Sequence, residues 1–364
     1  MTQAALLESP ESTMRMVEID LADPGPGEVA VDIRATGVCH SDISVWSGRL
    51  PAPLPLVLGH EGAGVVTAVG DGVDSLSPGD HAVLSWLANC GVCSYCQRGE
   101  QHLCARPRTM LGAHTMPDGS TRMSLGGDAV RQFCGLGTFS QSTVVPEGAA
   151  IRIADEVPFA SAALLGCGVL TGFGAAVNTA GVRVGQTVAV LGCGGVGLNA
   201  IQGAKAAGAG TIIAIDVHQE RLDLAARLGA DKVVTAGPEA TKEVRRLTDR
   251  QGADVVIEVV GRPETVNQAI AMSRRGGTTV LVGAGPDVGI DDVLNSVVMS
   301  GKIVKGSLYG SSYVARDIPH LVELYRKGEL HLDELVTETF DFDDIGRAVD
   351  YCAGEQGARA VVLA

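Results

Sequence analysis

Four cysteines lie within 15 residues: Cys90, Cys93, Cys96 and Cys104, spaced C-x2-C-x2-C-x7-C. Each x2 turn brings two sulfurs to the same side of the chain, so four thiolates can wrap one tetrahedral ion. Gly91 and Gly99 supply turn freedom. A closed four-thiolate site leaves no open coordination position, so the expected role is a structural zinc. An iron–sulfur cluster shares the C-x2-C-x2-C start, but the wide last spacing and the missing Cys-Pro pair speak against it. The chain holds nine cysteines, an odd number. Residues 1–7 lack the basic and apolar regions of a signal peptide, so metal ligation is favoured over a disulfide framework.

A second pattern is glycine-rich: Gly192-Cys-Gly194-Gly195-Val-Gly197. Alone, GxGxxG is weak. Here a strand-like run, 187–191, precedes it, a helical run, 196–207, follows it, and Asp216 ends the next strand 19 positions past Gly197. That context is a dinucleotide fingerprint. The glycines let the backbone approach a pyrophosphate, and the helix N-terminus favours its negative charge. Asp216 is expected to accept hydrogen bonds from the adenosine ribose and to repel a 2′-phosphate, which favours NAD over NADP.

Three further patterns carry metal-ligating types: Gly37-Val-Cys39-His40-Ser41-Asp42, Gly59-His60-Glu61-Gly62 and Gly166-Cys167-Gly168. Separately they decide nothing. A lone buried cysteine is more often inert packing, and a lone histidine is more often a satisfied core residue.

These residues need elements to hold them. The 364 residues suggest two domains, and 46 % hydrophobic against 19 % charged residues suits buried cores. Up to about residue 150 the apolar runs are short and broken by Pro and Gly, as at 29–33, 64–69 and 81–85, so an all-β domain of short strands is expected. From about residue 168, strand-like runs (187–191, 211–215, 232–235, 254–260, 277–282) alternate with helical ones (196–207, 220–228, 241–250). That alternation predicts a doubly wound parallel sheet. An amphipathic helix near 318–327 and a strand at 360–363 close the chain. The fold class is therefore α/β. A net charge of −14 argues against a nucleic-acid partner. Two uncharged stretches, 157–182 and 184–204, have the length of membrane spans, but glycines and ligand motifs interrupt them. They are expected to be buried segments, with no membrane partner and a cytoplasmic location.

Read together, the motifs resemble the zinc-dependent medium-chain alcohol dehydrogenases, as a bacterial-type member near the long-loop, liver-type branch. The likeness runs in order through GVCHSD, GHEGAG, the four-cysteine loop, GTFSQ at 137–141, GCGVLTG, GCGGVG, Asp216 and Arg359. It implies a GroES-like, mostly-β catalytic domain (1–168), a Rossmann NAD-binding domain (169–308) and a tail (309–364) that returns to the first. It implies two zinc ions per chain. Cys39, His60 and Cys167 would hold the catalytic zinc beside an exchangeable water. Asp42 would orient His60, and Glu61 would lie behind the metal.

The resemblance further implies NAD-linked interconversion of primary alcohols and aldehydes, by hydride transfer from a zinc-bound alkoxide whose proton Ser41 has taken. Liver-type enzymes pass that proton on to a histidine three residues after the serine; here that place is Ser44, so the outlet is a water chain, Ser44 itself or another base. His40 would touch the cofactor pyrophosphate, as would Arg359. Arg221 would meet the adenosine ribose, and Thr171, Val282 and Ala284 would lie beside the nicotinamide. Trp86, Leu50 and Trp46 would face the substrate. Thiol-dependent formaldehyde dehydrogenases, using glutathione or mycothiol, are the alternative, because Arg108 matches their thiol-gripping arginine. Leu50 stands where the glutathione-dependent enzymes carry an acidic residue. A non-catalytic NAD-binding relative is a minor alternative, disfavoured because all three catalytic ligands are present. The long loop 105–136 resembles that of dimeric members, so a homodimer is expected, with a tetramer as the other option. Cys134, Cys193 and Cys352 are expected to be packing residues.

Overall fold

A computed structural model of the chain describes residues 1–283, 285, 289–354 and 357–364. Two units emerge, Met1–Cys167 with Tyr313–Ala364, and Gly168–Ser312. Residues 309–312, expected in the returning tail, belong to the second unit. The reason is local: a Cβ on Gly174, in the helix Leu170–Gly174, would overlap the Gly310 carbonyl oxygen. Gly310 itself adopts φ 64° there, a conformation that suits glycine.

The first unit is mostly β. Thr2–Leu7, Arg15–Leu21, Met123–Leu125, Asp128–Gln132 and Leu56–Val57 close into a small barrel. A seven-stranded sheet lies in the same unit, with the eleven-residue strand Glu28–Val38 at its centre. That strand pairs antiparallel with Glu61–Val69, with Ser142–Pro146 and, through the C-terminal tail, with Arg359–Leu363. The registers Gly37↔Glu61 and Val38↔Ala360 bring three distant stretches of sequence to one end of the sheet. Val29, Val31, Ile33, Val66 and Leu84 fill the core on one side of these strands. Leu6, Ile19, Leu56, Phe133 and Phe139 fill the barrel side.

The second unit is a six-stranded, all-parallel sheet. Its order is Lys232–Thr235, Thr211–Asp216, Thr187–Leu191, Ala253–Glu258, Ser273–Leu281, Ile303–Gly306. The chain leaves Thr187–Leu191 in one direction and returns on its other side, at Ala253–Glu258, which creates the switch point where open α/β sheets bind ligands. The predicted alternation is present, with shifted ends. The helix expected over 241–250 spans Ala240–Leu247, because Asp249 and Arg250 take positive φ of 49° and 65°. The strand expected over 254–260 stops at Glu258, where the backbone turns.

One long helix was not foreseen. Residues 159–180 run continuously, with π-helical stretches at Leu165–Val169 and Ala175–Ala180. Among the described residues it is the helix long and apolar enough to cross a membrane, and 83 % of its most apolar window is buried. That burial marks a core helix, as expected of this uncharged stretch.

Candidate active site

Cys39 follows the central strand and caps the helix His40–Trp46. His60 and Glu61 open the neighbouring strand, and Cys167 lies in the π-helical stretch. Gly166 sits so close to the sheet that a Cβ there would overlap the Leu84 carbonyl oxygen, which fixes where Cys167 stands. The ligand atoms of Cys39, His60, Glu61 and Cys167 all lie within 4.8 Å of one another, and all four residues are buried.

Asp42 organises this cluster. Its Oδ2 accepts the Cys39 amide at 3.0 Å, and its Oδ1 accepts the Gly59 amide at 3.0 Å and Nδ1 of His60 at 3.2 Å. Nδ1 thus carries the proton, and Nε2 is left for a metal. The Phe133 ring meets the imidazole edge-on at 5.3 Å, holding its plane. Gly59 takes φ +86°, and a Cβ there would stand 2.6 Å from the Phe139 backbone nitrogen, so glycine is required in the turn before His60.

The electrostatics fit a cation. The hydrogen bond with Cys167 holds the Cys39 thiol well below its usual range, while the same bond and burial push Cys167 well above its own. Two thiolates cannot share a buried site without a positive partner. Burial opposes the charged form of His60, but the Asp42 and Cys167 charges outweigh it and hold the imidazole above its ordinary value. Burial lifts Glu61 to about 7, against the pull of Arg359. The Arg359 guanidinium donates to Glu61 Oε1. That pair spans nearly the whole chain, and no local pattern announces it.

The four-cysteine cluster forms as the spacing predicts. The sulfurs of Cys90, Cys93, Cys96 and Cys104 all lie within 4.8 Å of one another, with Cys93 3.5 Å from Cys96 and 3.8 Å from Cys104. Tetrahedral zinc with bonds of about 2.3 Å would separate its sulfurs by about 3.8 Å. Amides of Cys90 and Cys93 donate to sulfurs of the cluster at 3.3 Å each. Backbone amides draw Cys93 down to about 6, while burial and neighbouring thiols push Cys96 up to about 12. Four soft sulfur donors closed around one point fit a tetrahedral zinc.

In the second unit, Gly192 adopts φ +97°, and a Cβ there would stand 2.8 Å from a γ-carbon of Val259 and of Val260. A Cβ on Gly197 would overlap the Gly192 carbonyl oxygen. Gly194 caps the helix Gly195–Ala206 and has nothing within 4 Å of its Cβ position, an open cradle where a pyrophosphate fits. Asp216 is buried; its Oδ2 accepts the Cys193 amide at 2.6 Å and its Oδ1 the His218 amide at 2.9 Å. Arg221 is half-buried and close enough to draw the Cys193 thiol downward, against a burial that raises it.

The remaining expected residues are distributed unevenly. Ser41 and His40 are exposed, with Ser41 Oγ 3.9 Å from Cys39 Sγ. Ser44, Thr171 and Val282 are half-buried, and Ala284 lies outside the described residues. Trp86 is half-buried against the cores, and Leu50 is 48 % exposed. Trp46 packs on the barrel core and donates from Nε1 to the Ser12 carbonyl at 3.1 Å, an anchoring role sequence reasoning had not separated from a pocket role. Cys134, Cys193 and Cys352 have raised thiol values through burial, as packing residues do.

Comparison with known proteins agrees with this architecture. Residues 25–155 match the alcohol dehydrogenase GroES-like domain, and residues 195–327 match the zinc-binding dehydrogenase family. A putative alcohol dehydrogenase D of Mycobacterium tuberculosis is 39 % identical over 371 residues, covering 100 % of this chain and 99 % of that one. An S-(hydroxymethyl)glutathione dehydrogenase of Escherichia coli O157:H7 is 38 % identical, covering 99 % of each chain. The crystal structure of benzyl alcohol dehydrogenase from Acinetobacter calcoaceticus superposes with a TM-score of 0.93 at 31 % identity, covering 100 % of this chain and 99 % of that one. The chain belongs to the zinc-dependent medium-chain alcohol dehydrogenase family.

Proposed function

We propose that the chain is an NAD-linked dehydrogenase interconverting primary alcohols, aliphatic or aromatic, with their aldehydes. The carrying observation is the buried Cys39–His60–Cys167 set, with Asp42 fixing the tautomer of His60. Those three residues would hold a catalytic zinc, and the four-cysteine cluster a structural one. When bound, zinc supplies a Lewis acid that eases loss of an alcohol proton, and NAD supplies the hydride acceptor.

The chain's own residues then position and carry. Ser41 Oγ, beside Cys39, takes the alcohol proton. The half-buried Ser44, one turn further along the same helix, is one outlet for that proton, beside a water chain or another base. Asp216 sets the preference for NAD, because its carboxylate would face a 2′-phosphate with like charge. Trp86 supplies the apolar wall. His40, Arg221, Thr171, Val282 and Ala284 remain assigned to the cofactor, and Arg359 to its pyrophosphate as well as to Glu61.

Thiol-dependent formaldehyde oxidation is the second reading. The E. coli relative is named for S-(hydroxymethyl)glutathione, a thiol adduct, and Arg108 is exposed here, four residues past Cys104, where a thiol carboxylate could reach it. Against it stands Leu50, apolar and exposed.

A homodimer is also proposed. Val293, Leu294, Val298, Met299 and Ile303 are large hydrophobics exposed by 48 % to 64 %, and Ile303–Gly306 is the outer strand of its sheet. An open strand edge beside such a patch invites a second copy.

The deciding experiment follows NAD and NADP reduction at 340 nm with ethanol, hexanol, benzyl alcohol, a secondary alcohol, and formaldehyde with and without glutathione or mycothiol, while zinc is counted on the same sample. Turnover of simple primary alcohols with two zinc ions per chain is expected. Turnover only of formaldehyde with thiol would transfer the assignment to the second reading.

A further inference from the structure

Glu258 is fully buried at the C-terminal end of the strand Ala253–Glu258, in register with Leu191 on one side and Leu281 on the other. A carboxylate so placed is unfavourable unless donors surround it. Its Oε1 accepts three: the Val260 amide at 2.9 Å, the Gly261 amide at 2.8 Å and the Thr265 hydroxyl at 2.8 Å. Its Oε2 is buried and has no hydrogen-bond partner among the described residues. Two of these donors belong to the turn that follows and the third, Thr265, to the first turn of the helix Pro263–Met272, so the carboxylate clamps the turn and the helix start and not the sheet.

The turn 259–261 is a wedge between two segments. On one side, Val259 and Val260 press on Gly192, each 2.8 Å from its Cβ position. On the other, the amides of Val282 and Gly283 donate to the Glu258 carbonyl at 2.8 and 3.2 Å. A Cβ on Gly283 or on Gly285 would overlap the Gly261 backbone. The two flanking segments are the glycine loop, assigned above to the pyrophosphate, and the stretch that holds Gly283, Gly285 and Val282, the last assigned above to the nicotinamide.

We infer that Glu258 is a positioning residue for the dinucleotide: by holding the 259–261 turn, it sets the separation of the glycine loop from Val282, Gly283 and Gly285. This rests on the dinucleotide reading above. Glu258 touches no reacting atom; it acts through Val259, Val260 and Gly261.

The test is NADH affinity of the full chain, read by cofactor fluorescence, alongside KM for NAD, kcat and melting temperature. Glu258→Ala removes all three acceptor contacts and is expected to weaken NADH binding roughly 10- to 100-fold, with kcat at saturating NAD within about 3-fold. Glu258→Gln keeps one acceptor oxygen and is expected to lose no more than about 5-fold. Val256→Ala, in the same strand and equally buried, lowers melting temperature as a core cavity does and leaves NADH affinity within about 2-fold. Should Glu258→Ala fail to fold, Thr265→Val removes a single donor and is expected to weaken NADH about 3-fold. Unchanged affinity in Glu258→Ala, or in both Glu258→Gln and Thr265→Val, would overturn the inference. So would an equal loss in Val256→Ala at matched melting temperature. Failure of the unsubstituted chain to bind NADH or NADPH would overturn the dinucleotide reading itself, a result visible without any variant.

Discussion

Asp42 Oδ1 lies 3.2 Å from His60 Nδ1, with both side chains buried and the two residues 18 positions apart in sequence. The same carboxylate also accepts the amides of Cys39 and Gly59, so one group ties the two ligand-bearing turns together. Partners of this kind orient a ligand and raise its basicity. Asp42→Asn replaces one acceptor oxygen with an amide that cannot accept. Zinc affinity of the Cys39 site is expected to fall about 10- to 100-fold, with the four-cysteine zinc retained. Competition with a chromophoric chelator, counting ions released per chain, measures this; unchanged release would show that Asp42 does not support the ligand set.

The four-cysteine cluster makes a separate prediction. Cys96 is buried, and its sulfur lies 3.5 Å from that of Cys93. Cys96→Ser removes one soft ligand from a closed site, and metal binding there is folding free energy. One of two zinc ions is expected to be lost, with the melting temperature lower by about 5 °C or more. Elemental analysis with calorimetry decides, and two zinc ions per chain in the variant would refute the structural assignment.

The glycine loop separates two kinds of glycine. Gly197→Ala places a Cβ on the Gly192 carbonyl oxygen, whereas the Gly194 Cβ position meets nothing within 4 Å. Gly197→Ala is therefore expected to destabilise the fold by about 2 kcal/mol or more. Gly194→Ala should leave the melting temperature within about 1 °C and raise KM for NAD roughly tenfold, because its methyl occupies the cradle where the phosphate backbone would approach. Equal melting temperatures in the two variants would contradict the geometry.

Glu147 gives the pH dependence a sign. Its Oε1 accepts the amides of Asp74 and Ser75 at 3.2 and 3.0 Å and the Ser75 hydroxyl at 2.6 Å. Burial raises its carboxyl, but the Ser75 and Asp74 donors outweigh burial and hold it below the ordinary value. A depressed folded value means the contribution is fully present above the unfolded value of about 4.3 and is lost as pH falls through the folded value. Glu147→Gln is expected to flatten the melting-temperature profile below about pH 4.5 and leave it parallel to the parent above that. A profile that steepens would reverse the sign.

Much of the site was legible because the chemistry is local. Four cysteines within 15 residues determine their own cluster, since two x2 turns leave the sulfurs few places to go. The glycine loop is equally local: strand, turn, helix and Asp216 form one continuous unit whose backbone demands those residue types. Element ends were less legible. The strand ending at Glu258 was expected to run two residues further because Val259 and Val260 look like strand residues; the turn clamped by the Glu258 carboxylate ends it.

Cys39, His60 and Cys167 are a different case. Separately they are ordinary, and it was their joint resemblance to a family, not their spacing, that marked them as a set. Strand pairing brings Cys39 and His60 together, while the close approach of Gly166 to Leu84 places Cys167. The Glu61–Arg359 pair depends wholly on the register of Val38 with Ala360. The sequence by itself determined the four-thiolate cluster, the dinucleotide turn and the alternation of the parallel sheet, because turn geometry and hydrophobic period act over a few residues. Only the tertiary structure decided which buried charges meet, because a carboxylate finds its cation through sheet register and packing across hundreds of residues, where no local pattern reaches.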